Sequence, residues 1–94
     1  MVVGLLTLDL HVGESQSLKE KRMIMQRLKD ALRRRFNVAV AEVGDDQDTW
    51  QRTRLGIAGV GQDRRYVNGQ LSQVVEWMQS QRAVELTDYE LAWW

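Results

Sequence analysis

Residues 17–43 read SLKEKRMIMQRLKDALRRRFNVAVAEV, and the change of pattern inside this stretch decides the fold. Ser17-Leu18-Lys19-Glu20 has the form of a capping box, in which serine and glutamate satisfy the first free amides of a helix reciprocally. From Leu18 onward Met25, Leu28, Leu32 and Phe36 recur at helical spacing, and Ile24 and Ala31 widen the stripe. The spacing predicts a helix from Leu18 to about Arg35 with one face able to pack on a sheet. Asn37 breaks it, and Val38-Ala39-Val40-Ala41-Glu42-Val43, β-branched and bounded by Gly44, reads as a strand.

Working outward, Val2 to Leu10 is too short for a typical helix and rich in Val and Leu, which suits a central strand. Beyond the acidic turn Gly44-Asp45-Asp46-Gln47-Asp48, residues Arg52 to Val60 form an extended, glycine-tolerant pattern. The small residues there predict close packing of the backbone against something large. Asp63 can cap a second helix, whose apolar positions Val67, Leu71, Val74, Val75 and Met78 carry it to about Gln81. Val84, Leu86, Thr87, Tyr89, Leu91 and Trp93-Trp94 read as a closing strand with apolar residues of both parities.

The order strand, helix, strand, strand, helix, strand is that of two consecutive split βαβ units. It predicts an α+β, ferredoxin-like βαββαβ sandwich, a four-stranded antiparallel sheet with both helices on one face. No repeat, low-complexity tract or proline-rich linker divides the chain, so residues 1–94 are expected to form one domain. In the first strand Val3 and Leu5 alternate with Leu6, Leu8 and Leu10, and in the third Leu55 and Ile57 alternate with Ala58 and Val60. Both sheet faces therefore carry apolar groups, and the one left open by the helices calls for a partner.

At 94 residues, 44% hydrophobic and 28% charged, the composition is that of a small soluble domain rather than a disordered or fibrous chain. The absence of cysteine excludes disulfides, cysteine-ligated zinc or iron–sulfur centres and a thiol nucleophile, and is compatible with a cytoplasmic location. The opening Met1-Val2-Val3-Gly4-Leu5 lacks the basic region of a signal peptide, and no stretch is long and apolar enough to predict a membrane span.

Thirteen basic and thirteen acidic residues cancel, yet eight basic and two acidic residues lie between Leu18 and Phe36, so the first helix carries +6 and the remainder −6. Lys19, Arg22, Arg27, Lys29, Arg33 and Arg34 are the candidate surface for RNA or an acidic partner. The plainer reading is that Arg33, Arg34 and Arg35 complement the helix macrodipole and that the other cations pair with carboxylates or face solvent. The third strand lacks the aromatics that stack bases in RNA-recognition motifs, so RNA contact should run through phosphates and shape.

Four tryptophans, Trp50, Trp77, Trp93 and Trp94, are many for this length. Two of them at a terminus suggest cover by a second copy, with packing inside the chain or on another protein as alternatives. Leu55, Ile57, Tyr89, Leu91, Trp93 and Trp94 are the candidate interface of a homodimer joined through the open sheet face.

Nothing else builds a reactive constellation. His11 is the only histidine and reads as a loop or strand-end imidazole without an orienting carboxylate and nucleophile. Asp45, Asp46 and Asp48 lack the glycine and terminal glutamate of a calcium loop and read as a solvated hairpin. Gly56-Ile57-Ala58-Gly59-Val60-Gly61 has the order of neither a Walker loop nor a dinucleotide fingerprint, and Glu42 has no basic residue immediately beside it in sequence. No catalytic residue, metal or cofactor is expected.

The strings SLKEKR and FNVAVAEV, with Trp50-Gln51 ahead of Leu55-Gly56, make the whole chain resemble the YlxP-like family of small uncharacterised bacterial proteins. That resemblance implies a ferredoxin-like fold and a bacterial cytosolic protein, with genes often beside those of translation initiation factor 2 and ribosome-binding factor A. It implies no established activity and carries over no catalytic residues. Residues and resemblance together lead to the expectation of a non-enzymatic cytosolic binding protein that contacts RNA or a ribosome-associated partner through its first helix. A homodimeric structural or regulatory protein-interaction module without nucleic-acid binding is the alternative.

Overall fold

The structure, a computed structural model, describes residues 1–13, 17–44 and 51–94. The order is β1 (Val2–His11), α1 (Leu18–Arg35), β2 (Val38–Val43), β3 (Arg52–Gly61), α2 (Arg64–Gln79) and β4 (Glu85–Trp93). The four strands form one sheet in the order β2-β3-β1-β4 with every neighbouring pair antiparallel. This is the ferredoxin-like α+β arrangement. The carboxylates Asp45, Asp46 and Asp48 and the indole of Trp50 lie outside the described residues.

Local chemistry sets the element ends. Ser17 Oγ accepts the Glu20 N–H at 3.1 Å and Asp63 Oδ1 accepts the Tyr66 N–H at 2.8 Å, so both helices start on a side-chain cap. α2 stops two residues before Gln81 because Ser80 and Gln81 turn back on it. Ser80 Oγ donates to the Trp77 carbonyl at 2.6 Å and Gln81 Nε2 donates to the same oxygen at 3.0 Å, which satisfies a carbonyl that another turn would have used. Gly44, at φ 89°, ends β2 in the left-handed region that favours glycine.

The core lies between the sheet and the helices. Leu6, Leu8 and Leu10 of β1, with Leu55 and Ile57 of β3, meet Met25, Leu28 and Leu32 of α1 and Val67, Leu71, Val74 and Met78 of α2. α2 sits low over β1 and β3 and reaches β4, whereas α1 lies over β2. Glycine in the sheet permits the low seat: a Cβ on Gly4 would come within 2.6 Å of Leu71 Cδ1 and 2.9 Å of Val67 Cγ1. In β3 the close approach recurs at Gly61, where a Cβ would come within 2.6 Å of Tyr66 Cδ2, whereas at Gly59 it would meet Leu71 and Val67 only at ordinary contact distance, 3.5 and 3.6 Å.

The mixed parity of β4 is a bulge. Leu6 pairs with Leu91 and Leu8 with Tyr89, but the register shifts between Asp9 and Leu10, which then faces Leu86. Leu86 and Leu91 thereby both pack against the core despite opposite parity.

Candidate functional site

Two surfaces of the sequence reading take shape in the fold, the outer side of α1 and the open face of the sheet. On α1 the basic run divides into three groups, with Arg35 apart from them over Trp77. Lys21 is 2% exposed and belongs to the core rather than the solvent side. Lys29 and Arg33 bind the neighbouring strand: Lys29 Nζ lies 3.0 Å from Glu42 Oε2, and Arg33 Nη2 donates to the Val40 carbonyl at 2.9 Å while Nη1 lies 3.6 Å from Asp30. Glu42, without a basic neighbour in sequence, thus has one in space. Arg33 also occupies a carbonyl of the sheet's edge strand, a group that would otherwise invite another chain.

The third group faces outward. Lys19, Arg22, Arg27 and Arg34 are exposed and make no ion pair among the described residues. Arg27 and Arg34 stand a heptad apart, about 10 Å along the axis, on the same side of the helix. They flank a groove of about 420 Å3 between α1 and the end of α2, floored by Ile24, Leu28, Ala31 and Ala83 and closed by Trp77 and Gln81. Arg35 lies 5.7 Å from the centre of the Trp77 ring, and Phe36 meets that indole edge to face at 6.5 Å. Trp77 as a wall of this groove was not evident in the sequence; its place one helical turn from Val74 on α2 was the signal available.

The sheet corrects the candidate interface. Leu55 is fully buried and Ile57 is 2% exposed, because the β1·β3 register sets them opposite Leu8 and Leu6, under the helices. Leu91 and Trp93 pair with Leu6 and Gly4 and also pack against the core, and Arg64 lies 4.5 Å from the centre of the Trp93 ring. Tyr89 is exposed at the same helix-facing edge. Trp93 is therefore covered within the chain. Of the six residues, Trp94 alone follows the alternation to the open face, where it is 85% exposed and its N–H donates to the Val3 carbonyl at 2.8 Å.

The open face instead carries Val3, Leu5, Thr7 and Asp9 of β1, Ala39, Ala41 and Val43 of β2, Arg54, Gly56, Ala58 and Val60 of β3, and the exposed Asp88, Glu90 and Ala92 of β4. A shallow trough of about 390 Å3 lies over its small residues. At one end Asp9 Oδ1 accepts from Arg54 Nε at 2.6 Å, beside His11, Arg52, Glu85 and Thr87 around a recess of about 510 Å3. His11 is the last residue of β1, level with Arg52 and Glu85. No group of three or more metal-ligating side chains assembles among the described residues, and no helix there is long and apolar enough to cross a membrane.

Fold and surfaces define a small ferredoxin-like domain with a basic helix on one side and an unpaired, half-apolar sheet face on the other. The chain belongs to a family described as protein of unknown function (DUF503), whose model matches residues 3–91. It is 34% identical to the uncharacterized protein YlxP of Bacillus subtilis (strain 168) over 92 residues, which cover 98% of this chain and 99% of that protein.

Proposed function

We propose that the chain is a cytosolic, non-enzymatic binding protein that contacts RNA through the outer side of α1. The observation that carries this reading is the division of the basic run: Lys29 and Arg33 are engaged by β2, while Lys19, Arg22, Arg27 and Arg34 are left to solvent. Arginine forks suit phosphate oxygens, and the Arg27/Arg34 pair brackets a groove rather than standing on a featureless helix. The open face offers no aromatic within its strands for base stacking, so recognition runs through backbone charge and shape.

The test is retention of total cellular RNA across a salt series, with Arg27→Glu/Arg34→Glu beside the parent and circular dichroism to verify its fold. Four cations on phosphates give a log–log salt slope of about −3 to −4, and the variant should lose about 2 of it. No retention by the parent at low salt, or equal retention by the folded variant, overturns the reading and favours a protein-interaction module.

A further inference from the structure

We infer that the open sheet face is the seat of a second copy of this chain, related by a two-fold axis that runs parallel to the strands over the β1/β3 seam. On this face the paired strands present Val3 beside Val60, Leu5 beside Ala58, Thr7 beside Gly56 and Asp9 beside Arg54. Such an axis stacks each β1 residue on the β3 residue of its own row. Leu5 then meets the partner's Ala58, Thr7 meets the partner's Gly56, and Asp9 meets the partner's Arg54. Large falls on small in the Leu5 and Thr7 rows and acid on base in the Asp9 row; Val3 meets the partner's Val60, and at the rim Glu90 and Asp88 of β4 fall over the partner's Ala41 and Val43. The two Asp9–Arg54 pairs become one alternating quartet of charges, with Asp88 of each copy beside its own Asp9. A two-fold perpendicular to the strands would instead set Asp9 over the partner's Val3 and forfeit the acid–base contact at the β1/β3 seam.

Trp94 supplies a second complementarity. Paired with Val3 through its backbone N–H and 85% exposed, it continues the β4 alternation onto this face. The β2 side at the same level holds a trough of about 330 Å3 lined by Val3, Asn37, Ala39, Ala58 and Val60. The axis that matches Asp9 with Arg54 also exchanges these two sides, so each indole lands on the other copy's trough. Four strands about 4.8 Å apart and about 27 Å long give a face of about 500 Å2 per copy. The total of about 1,000 Å2 reaches the size of a specific interface, and two aligned sheets pack in this way.

Sedimentation or light scattering of the full chain should give twice its 10.9 kDa mass. Asp9→Arg makes the quartet all cationic and Arg54→Asp makes it all anionic, so each variant alone should be monomeric. Their equimolar mixture should regain the dimer, because opposite faces then meet. Trp94→Ala should weaken dimerisation roughly tenfold or more. A monomeric parent at high micromolar concentration overturns the proposal. Single variants that stay dimeric, or folded variants whose mixture stays monomeric, overturn it equally.

Discussion

The two faces of the sheet use almost the same chemistry to different ends. Toward the helices β1 and β3 present Leu6, Leu8, Leu10, Leu55 and Ile57, all at most 2% exposed; away from them stand Val3, Leu5, Gly56, Ala58 and Val60. Both sets are apolar, and apart from Leu5 the open set is the shorter-chained one. Helices rest on a sheet through long branched side chains that fill the gap between layers, whereas a flat face of small residues suits another flat face. Hydrophobicity alone therefore does not tell which face a helix covers.

Truncation on the covered face should produce the largest effect. Ile57→Ala leaves a cavity in the core beneath the helical layer and should lower stability by about 2–5 kcal/mol in urea unfolding; a loss near zero would mean that the helical layer does not press on β3. Gly4→Ala tests the closeness of α2, since the new Cβ meets two side-chain methyls inside contact distance. A cost of about 1–3 kcal/mol is expected, and a neutral outcome would show that Leu71 and Val67 can yield. Smallest is Val60→Thr on the open face, where the parent side chain is 45% exposed. The isolated chain should change by less than about 0.5 kcal/mol in thermal unfolding, and a change as large as that of Ile57→Ala would erase the distinction between the faces.

Much of this was legible in the sequence because local signals agreed with the fold. The six elements follow from helical spacing, the Ser17 and Asp63 caps and the β-branched run at Val38. Arg27 and Arg34 could be placed together by their heptad spacing alone. The parity of β3 could not, because Leu55 and Ile57 alternate with residues that are themselves apolar, and only pairing to Leu8 and Leu6 decides. The β4 bulge disguised Leu86 and Leu91 as opposite-facing, and the Lys29–Glu42 pair joins residues on different elements. Trp93 and Trp94 looked alike in sequence, yet one step of alternation sends the first against Gly4 and the second into the open.

The strand order has a consequence for synthesis. β1 is made first but lies inside the sheet, with β3 on one edge and β4 on the other, and Gly4 finds Trp93 only across nearly the full length of the domain. Until β4 leaves the ribosome, one backbone edge of the most aliphatic strand has no native neighbour. Pairings of such sequence separation close slowly. The nascent chain therefore carries a sticky edge through most of its birth, and the last strand to appear is the one that seals it.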